Sequence, residues 1–116
     1  MNSTKIGLSL SPHKSKFGPI LFAGDLAGGL EQVKRLGYDG VEISLLNSRL
    51  VEKKTLIQKL RELDLEVFTI ATGQTYYTDG YSLYHSEAKS RRMAVERVKD
   101  HVDLAAELNA KVILGG

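Results

Sequence analysis

Apolar and polar positions alternate over residues 5–11, with Ile6, Leu8 and Leu10 on one side and Gly7, Ser9 and Ser11 on the other. A period of two predicts a β-strand, and Pro12 stops it. A loop follows over residues 11–24, holding both prolines, His13 and Phe17. The spacing then changes. Leu26, Leu30, Val33 and Leu36 recur at three- and four-residue intervals, which predicts a helix near 25–36. Asp25 is suited to cap its start and Gly37 to end it. Asp39-Gly40 has the composition of a hairpin turn, but the run before it has a helical period, so a hairpin is rejected. Alternation returns over 41–45, where Val41, Ile43 and Leu45 oppose Glu42 and Ser44. A second helix near 53–63 carries the stripe Leu56, Leu60 and Leu63, and a third strand spans 66–71. The last helix runs near 87–109 with the stripe Val95, Val98, Val102, Ala105 and Leu108. Ser86 is placed to cap it and Asn109 to close it in a left-handed conformation. A fourth strand falls at 111–115.

The order βαβαβαβ implies an α/β fold with parallel strands and right-handed helical crossovers. Units of this length fit the first half of a (β/α)8 TIM barrel, whose complete form needs about 250 residues. With 116 residues and a strand at its end, the chain reads as a fragment, residues 1–116 being the N-terminal half of such a barrel.

Composition adds little to this picture. The chain is 42% hydrophobic and 26% charged with a formal net charge of +2, an ordinary globular composition. Lys89, Arg91 and Arg92 are the densest basic group, and they open a helix that soon carries Glu96 and Asp100. That is a solvated helix face and not a nucleic-acid patch. The absence of cysteine excludes disulfides, thiolate catalysis and cysteine zinc sites. No run has the length of a membrane span or the form of a signal peptide, so no membrane partner is expected and a cytoplasmic location is the default.

The candidate chemistry gathers at residues 72–83, Thr-Gly-Gln-Thr-Tyr-Tyr-Thr-Asp-Gly-Tyr-Ser-Leu. The segment has no regular period and reads as a long functional loop. In a barrel the C-terminal ends of the strands and the loops after them build the active site. Hydroxyls, amides and aromatic faces there suit a polyol. Gln74 has a donor and an acceptor, so it is read as a contact to a sugar hydroxyl or as a loop-closing hydrogen bond. Gly73 allows close backbone approach to a ligand, or simply a turn. Tyr76, Tyr77, Tyr81 and Tyr84 read as a cluster packing this segment onto the barrel rim, with one or two, Tyr76 first, lining the pocket. Ser44, His13 and Phe17 complete the candidate substrate-binding set. Glu42 is expected to point into the barrel within a structural network, with Lys5 and Lys111 as conceivable partners. His101 reads as scaffold, and His85 as a cap or a solvent-facing residue. No histidine falls in a metal-binding pattern, and residues 24–29 carry no nucleotide-binding motif.

Gly37-Tyr38-Asp39-Gly40-Val41-Glu42-Ile43 and residues 92–116 resemble the xylose-isomerase-like barrels. Ala71-Thr72-Gly73-Gln74, Asp79-Gly80-Tyr81-Ser82-Leu83 and Phe22-Ala23-Gly24-Asp25-Leu26 are similar to the subgroup that contains 5-keto-L-gluconate epimerase. The resemblance implies a sugar isomerase or epimerase acting on a ketose or keto-sugar acid through an enediolate. It also implies a divalent metal (Mn, Mg or Co) held by Glu, Asp, His or Gln, and Glu of strands five to eight. No residue of this chain corresponds to those ligands or to the proton-moving acids, so no catalytic residue is assigned. The endonuclease IV branch carries metal-binding histidines after strands three and four. Here Thr72-Gly73-Gln74 and Gly115-Gly116 stand at those places, which argues against DNA repair. The expected partners are a small sugar or sugar-acid substrate and either the missing half-barrel or further copies of the chain. A non-catalytic half-barrel assembling through its open sheet edges is the alternative.

Overall fold

The computed structural model describes residues 4–14 and 20–115. Four strands, β1 (Gly7–Leu10), β2 (Gly40–Ser44), β3 (Glu66–Ala71) and β4 (Lys111–Ile113), form one sheet in chain order. Every neighbouring pair is parallel. Helices α1 (Leu26–Arg35), α2 (Lys53–Leu63) and α4 (Ala88–Glu107) cross between the strands, as the alternation of periods implies. A 3₁₀ turn, Ser48–Leu50, and a short helix α3, Gln74–Asp79, are additions to the expected order.

Local chemistry sets the element ends. The Asp25 side chain accepts from the Gly28 amide at 3.0 Å and caps α1. Gly37 (φ +88) and Asn109 (φ +54) turn the chain out of α1 and α4 in the left-handed region. Asp39 makes no hairpin. Its carboxylate accepts from the Ile6 amide at 2.8 Å, and its own amide donates to the Ile6 carbonyl at 2.8 Å. This locks the start of β1 beside β2. Ser86 does not cap α4. Glu87 holds that position without a side-chain cap bond, and the His85 imidazole accepts from its amide at 3.0 Å.

The apolar faces of the strands meet the helices. Leu10, Val41, Ile43, Val67 and Ile70 are buried against Leu30, Val33, Leu56, Leu60 and Leu104 in one core. The opposite face of the sheet is polar. In register across it run Ser9, Glu42, Thr69 and Lys111. Glu42 is bonded by hydroxyls and not by the lysines expected: its carboxylate accepts from Ser9 at 3.3 Å and Thr69 at 2.8 Å. Lys5 pairs with Glu66 instead, at 2.8 Å. Ser9 and Thr69 are the direct neighbours of Glu42 on the flanking strands, while Lys5 lies before the paired part of β1 and Lys111 stands one strand further off.

A register shift between Val41 and Glu42 leaves Phe68 as the extra residue of β3. Its ring lies over two facing glycines. A Cβ on Gly7 would fall 2.6 Å from the Phe68 ring, and one on Gly40 would fall 2.4 Å from the Glu66 carbonyl oxygen. Close approach of β1, β2 and β3 therefore requires both glycines.

The buried face of α4 is Ser90, Ala94, His101, Leu104 and Ala105. The valine stripe read from the sequence is displaced from it, with Val95 and Val102 exposed at 40% and 48%. Polar contacts decide the seam. His101 Nδ1 bonds Ser48 Oγ across the 3₁₀ turn, and Arg97 donates to the Leu46 carbonyl at 2.8 Å.

Candidate functional site

The C-terminal ends of β1, β2 and β3 converge beneath α3. Ser11 follows β1 and is fully buried, Ser44 ends β2 and is nearly so, and Gln74 opens α3 at 0% exposure. The Gln74 Nε2 group donates to Ser11 Oγ at 3.0 Å, to the Ser44 carbonyl at 3.1 Å and to Ser44 Oγ at 2.9 Å. Ser11 Oγ in turn donates to the His13 carbonyl at 2.9 Å and accepts from the His13 amide at 3.1 Å. Three of the residues singled out from the sequence, Gln74, Ser44 and His13, thus belong to one hydrogen-bonded cluster. Ser11, lying inside the predicted loop region but not singled out, is its hub.

The expectation of an irregular loop over 72–83 is corrected here, because residues Gln74–Asp79 are helical. Threonine and tyrosine are indifferent helix formers, and six residues are too few to show a period. The available signal was Gly80, which closes the helix at φ +73 with its amide turned back to Thr75 and Tyr76. The helix also explains the burial pattern. Gln74 and Thr75 are buried and Thr78 is partly so, while Tyr76 and Tyr77 face outward. Residues two apart on a helix cannot share a face with Gln74, so Tyr76 lies away from the cluster. It packs edge-on against Tyr77 at 5.2 Å between centroids and obliquely against Tyr84 at 6.5 Å. These three tyrosines pack on one another at the surface. Tyr81 lies under the Arg97 guanidinium, 5.5 Å from its ring centre.

Gly73 stands at the N-terminal end of α3 with φ −56. A Cβ there would meet only the Tyr77 ring, at 3.9 Å, so neither backbone conformation nor packing demands glycine. Phe17 lies outside the described residues, as does Gly116.

Two further polar groups hold this end of the sheet together. Thr72 Oγ1 donates to the Ile113 carbonyl at 3.0 Å and accepts from the Gly115 amide at 3.1 Å, joining the ends of β3 and β4. Arg97 pairs with Asp79 at 2.9 Å, so α4 anchors the C-terminal end of α3 while Gln74 anchors the other. Two cavities flank these elements. One of about 390 Å³ lies between α1 and α2 and is lined mainly by Leu26, Leu30, Val51 and Leu56. The other, of about 220 Å³, lies between Thr72, Thr75, Tyr81, Tyr84 and α4.

Electrostatically the cluster is neutral. Burial holds the His13 imidazole below its usual pKa. Gln74 Oε1, Thr78 Oγ1 and His13 Nε2 are buried with no hydrogen-bond partner among the described residues. Among the described residues no three His, Asp or Glu side chains converge where a metal could bind. What the residues of this cluster offer a ligand is hydrogen bonding. Among the described residues, no helix is long and apolar enough to cross a membrane.

Comparison with known proteins places this geometry. In fold the chain is similar to the apo form of 3-keto-D-glucoside 4-epimerase, YcjR, from E. coli, with a TM-score of 0.68 over 97% of this chain at 17% identity. It spans 38% of the length of that structure. No curated protein matches in sequence. The family model of the xylose isomerase-like TIM barrel matches residues 30–116. Four parallel strands alternating with helices, polar strand ends and that match agree: the chain belongs to the xylose isomerase-like TIM-barrel family, as a partial barrel.

Proposed function

We propose that this chain is the substrate-recognising part of a sugar isomerase or epimerase that works on a ketose or keto-sugar acid through an enediolate. The observation that carries this reading is the Gln74 amide, buried at the strand ends and bonded to Ser11 and Ser44 with its oxygen left without a partner. In a barrel of this kind substrate sits at that end of the sheet. Buried amides and hydroxyls fix the hydroxyl pattern of a polyol. A likeness to a solved sugar epimerase supports the same substrate class.

The division of labour follows from the side chains present. Ser11, Ser44, Gln74 and Thr78 orient hydroxyls, and none of them moves a substrate proton in this reading. A divalent metal, manganese, magnesium or cobalt, is expected from the resemblance and supplies Lewis-acid polarisation of substrate oxygens when bound. Its ligands belong, in this proposal, to strands beyond β4.

The reading is tested on the purified chain with D-fructose. Amide resonances at the ends of β1 and β2 and in α3 shift saturably on titration. In heavy water with manganese added, the sugar C–H next to the carbonyl does not exchange with solvent. Exchange above the protein-free rate would show that proton transfer resides in this chain and would overturn the division of labour.

A further inference from the structure

We infer that the sugar meets α3 with an uncharged, hydroxyl-bearing end, and that Thr78 belongs to the wall that reads it. The inference rests on the sugar-enzyme reading above and goes beyond it by fixing which chemistry lies against this helix. Gln74 and Thr78 stand one helical turn apart on α3, so they share a face with Cβ atoms about 5–6 Å apart. Each has a side-chain oxygen that is buried and has no partner among the described residues. Buried polar atoms in folded proteins are nearly always paired. Two such atoms on one helical face are placed to take a ligand's hydrogen bonds.

The direction of those bonds is decided by the amide. Gln74 Nε2 faces the Ser44 carbonyl oxygen at 3.1 Å, and a carbonyl only accepts. The amide therefore cannot be reversed, and Oε1 is the end that is left free. Oε1 also only accepts, so its partner must donate. A sugar hydroxyl donates. A phosphate monoester dianion or a carboxylate presents lone pairs alone and is repelled from Oε1 unless a cation lies beside it. Ser11, Ser44, Gln74 and Thr78 carry no charge, and burial favours the neutral form of the His13 ring. Arg97, the cation tied to α3, is engaged by Asp79 at 2.9 Å and by the Leu46 carbonyl at 2.8 Å. A carboxylate or phosphate on the substrate is directed away from this wall.

The Gln74 side-chain amide signal in nitrogen–proton spectra of the chain reports on the site directly. D-fructose shifts it saturably, while methyl phosphate and acetate at pH 8 and matched ionic strength leave it in place. Thr78→Val removes an unpartnered hydroxyl, so the melting temperature is unchanged or rises while D-fructose binds about fivefold to tenfold more weakly, the loss of one hydrogen bond. A saturable shift of the Gln74 amide with methyl phosphate or acetate would overturn the inference. So would Thr78→Val with full affinity or with a lowered melting temperature, since the hydroxyl would then have a purely structural partner. Saturable D-fructose shifts that leave Gln74 unmoved would sink this inference and spare the sugar reading. The absence of any saturable shift with D-fructose would remove both.

Discussion

Gln74 shows how much a single residue's surroundings change its meaning. As a residue type at the end of a strand it is a plausible sugar contact; its burial and its three acceptors make it the member that joins three strand ends. His101 is the opposite case. It sits in the packing between α4 and the 3₁₀ turn, where it carries a cost that depends on pH. The ring is fully buried, with Nδ1 on Ser48 and Nε2 without a partner. Burial, with Arg97 adding to it and Asp100 opposing, lowers its pKa from 6.5 to about 4. Asp100 is itself shared with Arg49 at 2.9 Å. The unfolded chain therefore takes up a proton near pH 6.5 that the folded chain refuses until about pH 4. Stability is full above that window and falls as the pH drops through it, by about 3 kcal/mol in all. Denaturant midpoints measured from pH 7 to pH 4 should fall accordingly. In His101→Phe the slope should flatten whatever the starting stability, and an unchanged slope would refute the assignment.

At the scale of elements, the strands and long helices were legible because their periods repeat often enough to be seen. The short helix α3 was not. Six residues give fewer than two turns, and Gln74, Thr75 and Thr78 are not an apolar stripe. The predicted stripe of α4 holds at Ala105 and Leu108, which pack in or against the core, but not at its valines, for a related reason: small and polar residues, Ser90, Ala94 and His101, take the rest of the seam. Hydrophobicity marks burial only where packing is apolar, and here a Ser–His bond and an arginine–carbonyl bond set the helix rotation. The sheet carries its own test. Gly40 faces the Glu66 carbonyl, and a Cβ there would lie 2.4 Å from that oxygen. Since backbone cannot rotate aside as a side chain can, Gly40→Ala should cost about 2 kcal/mol or more. Urea denaturation would read it; a loss below about half that would mean that β2 and β3 separate more easily than their pairing suggests.

For the whole molecule, the sheet has two outer edges. Among the described residues β1 pairs only with β2 and β4 only with β3. Unpaired parallel edges invite pairing with further strands, and the polar row of Ser9, Glu42, Thr69 and Lys111 is the layer such strands would enclose. A partial barrel should therefore associate in solution. Light scattering across a concentration series should show a mass above that of one 12.8 kDa chain, and a well-folded monomer at every concentration would count against it. What the sequence by itself determined is the local order: strand, helix, strand, with Asp25, Gly37 and Asn109 at the junctions and a family resemblance carried by short motifs. Those features depend on neighbours a few residues apart, which the backbone's own geometry brings together. Only the tertiary structure decided that Ser11, Ser44 and Gln74 meet, although 63 residues separate the first from the last. It also decided that Phe68 bulges over two glycines and that Thr78 shares Gln74's buried face. Such contacts depend on strand register and on the rotation of helices about their axes, and neither leaves a period in the chain.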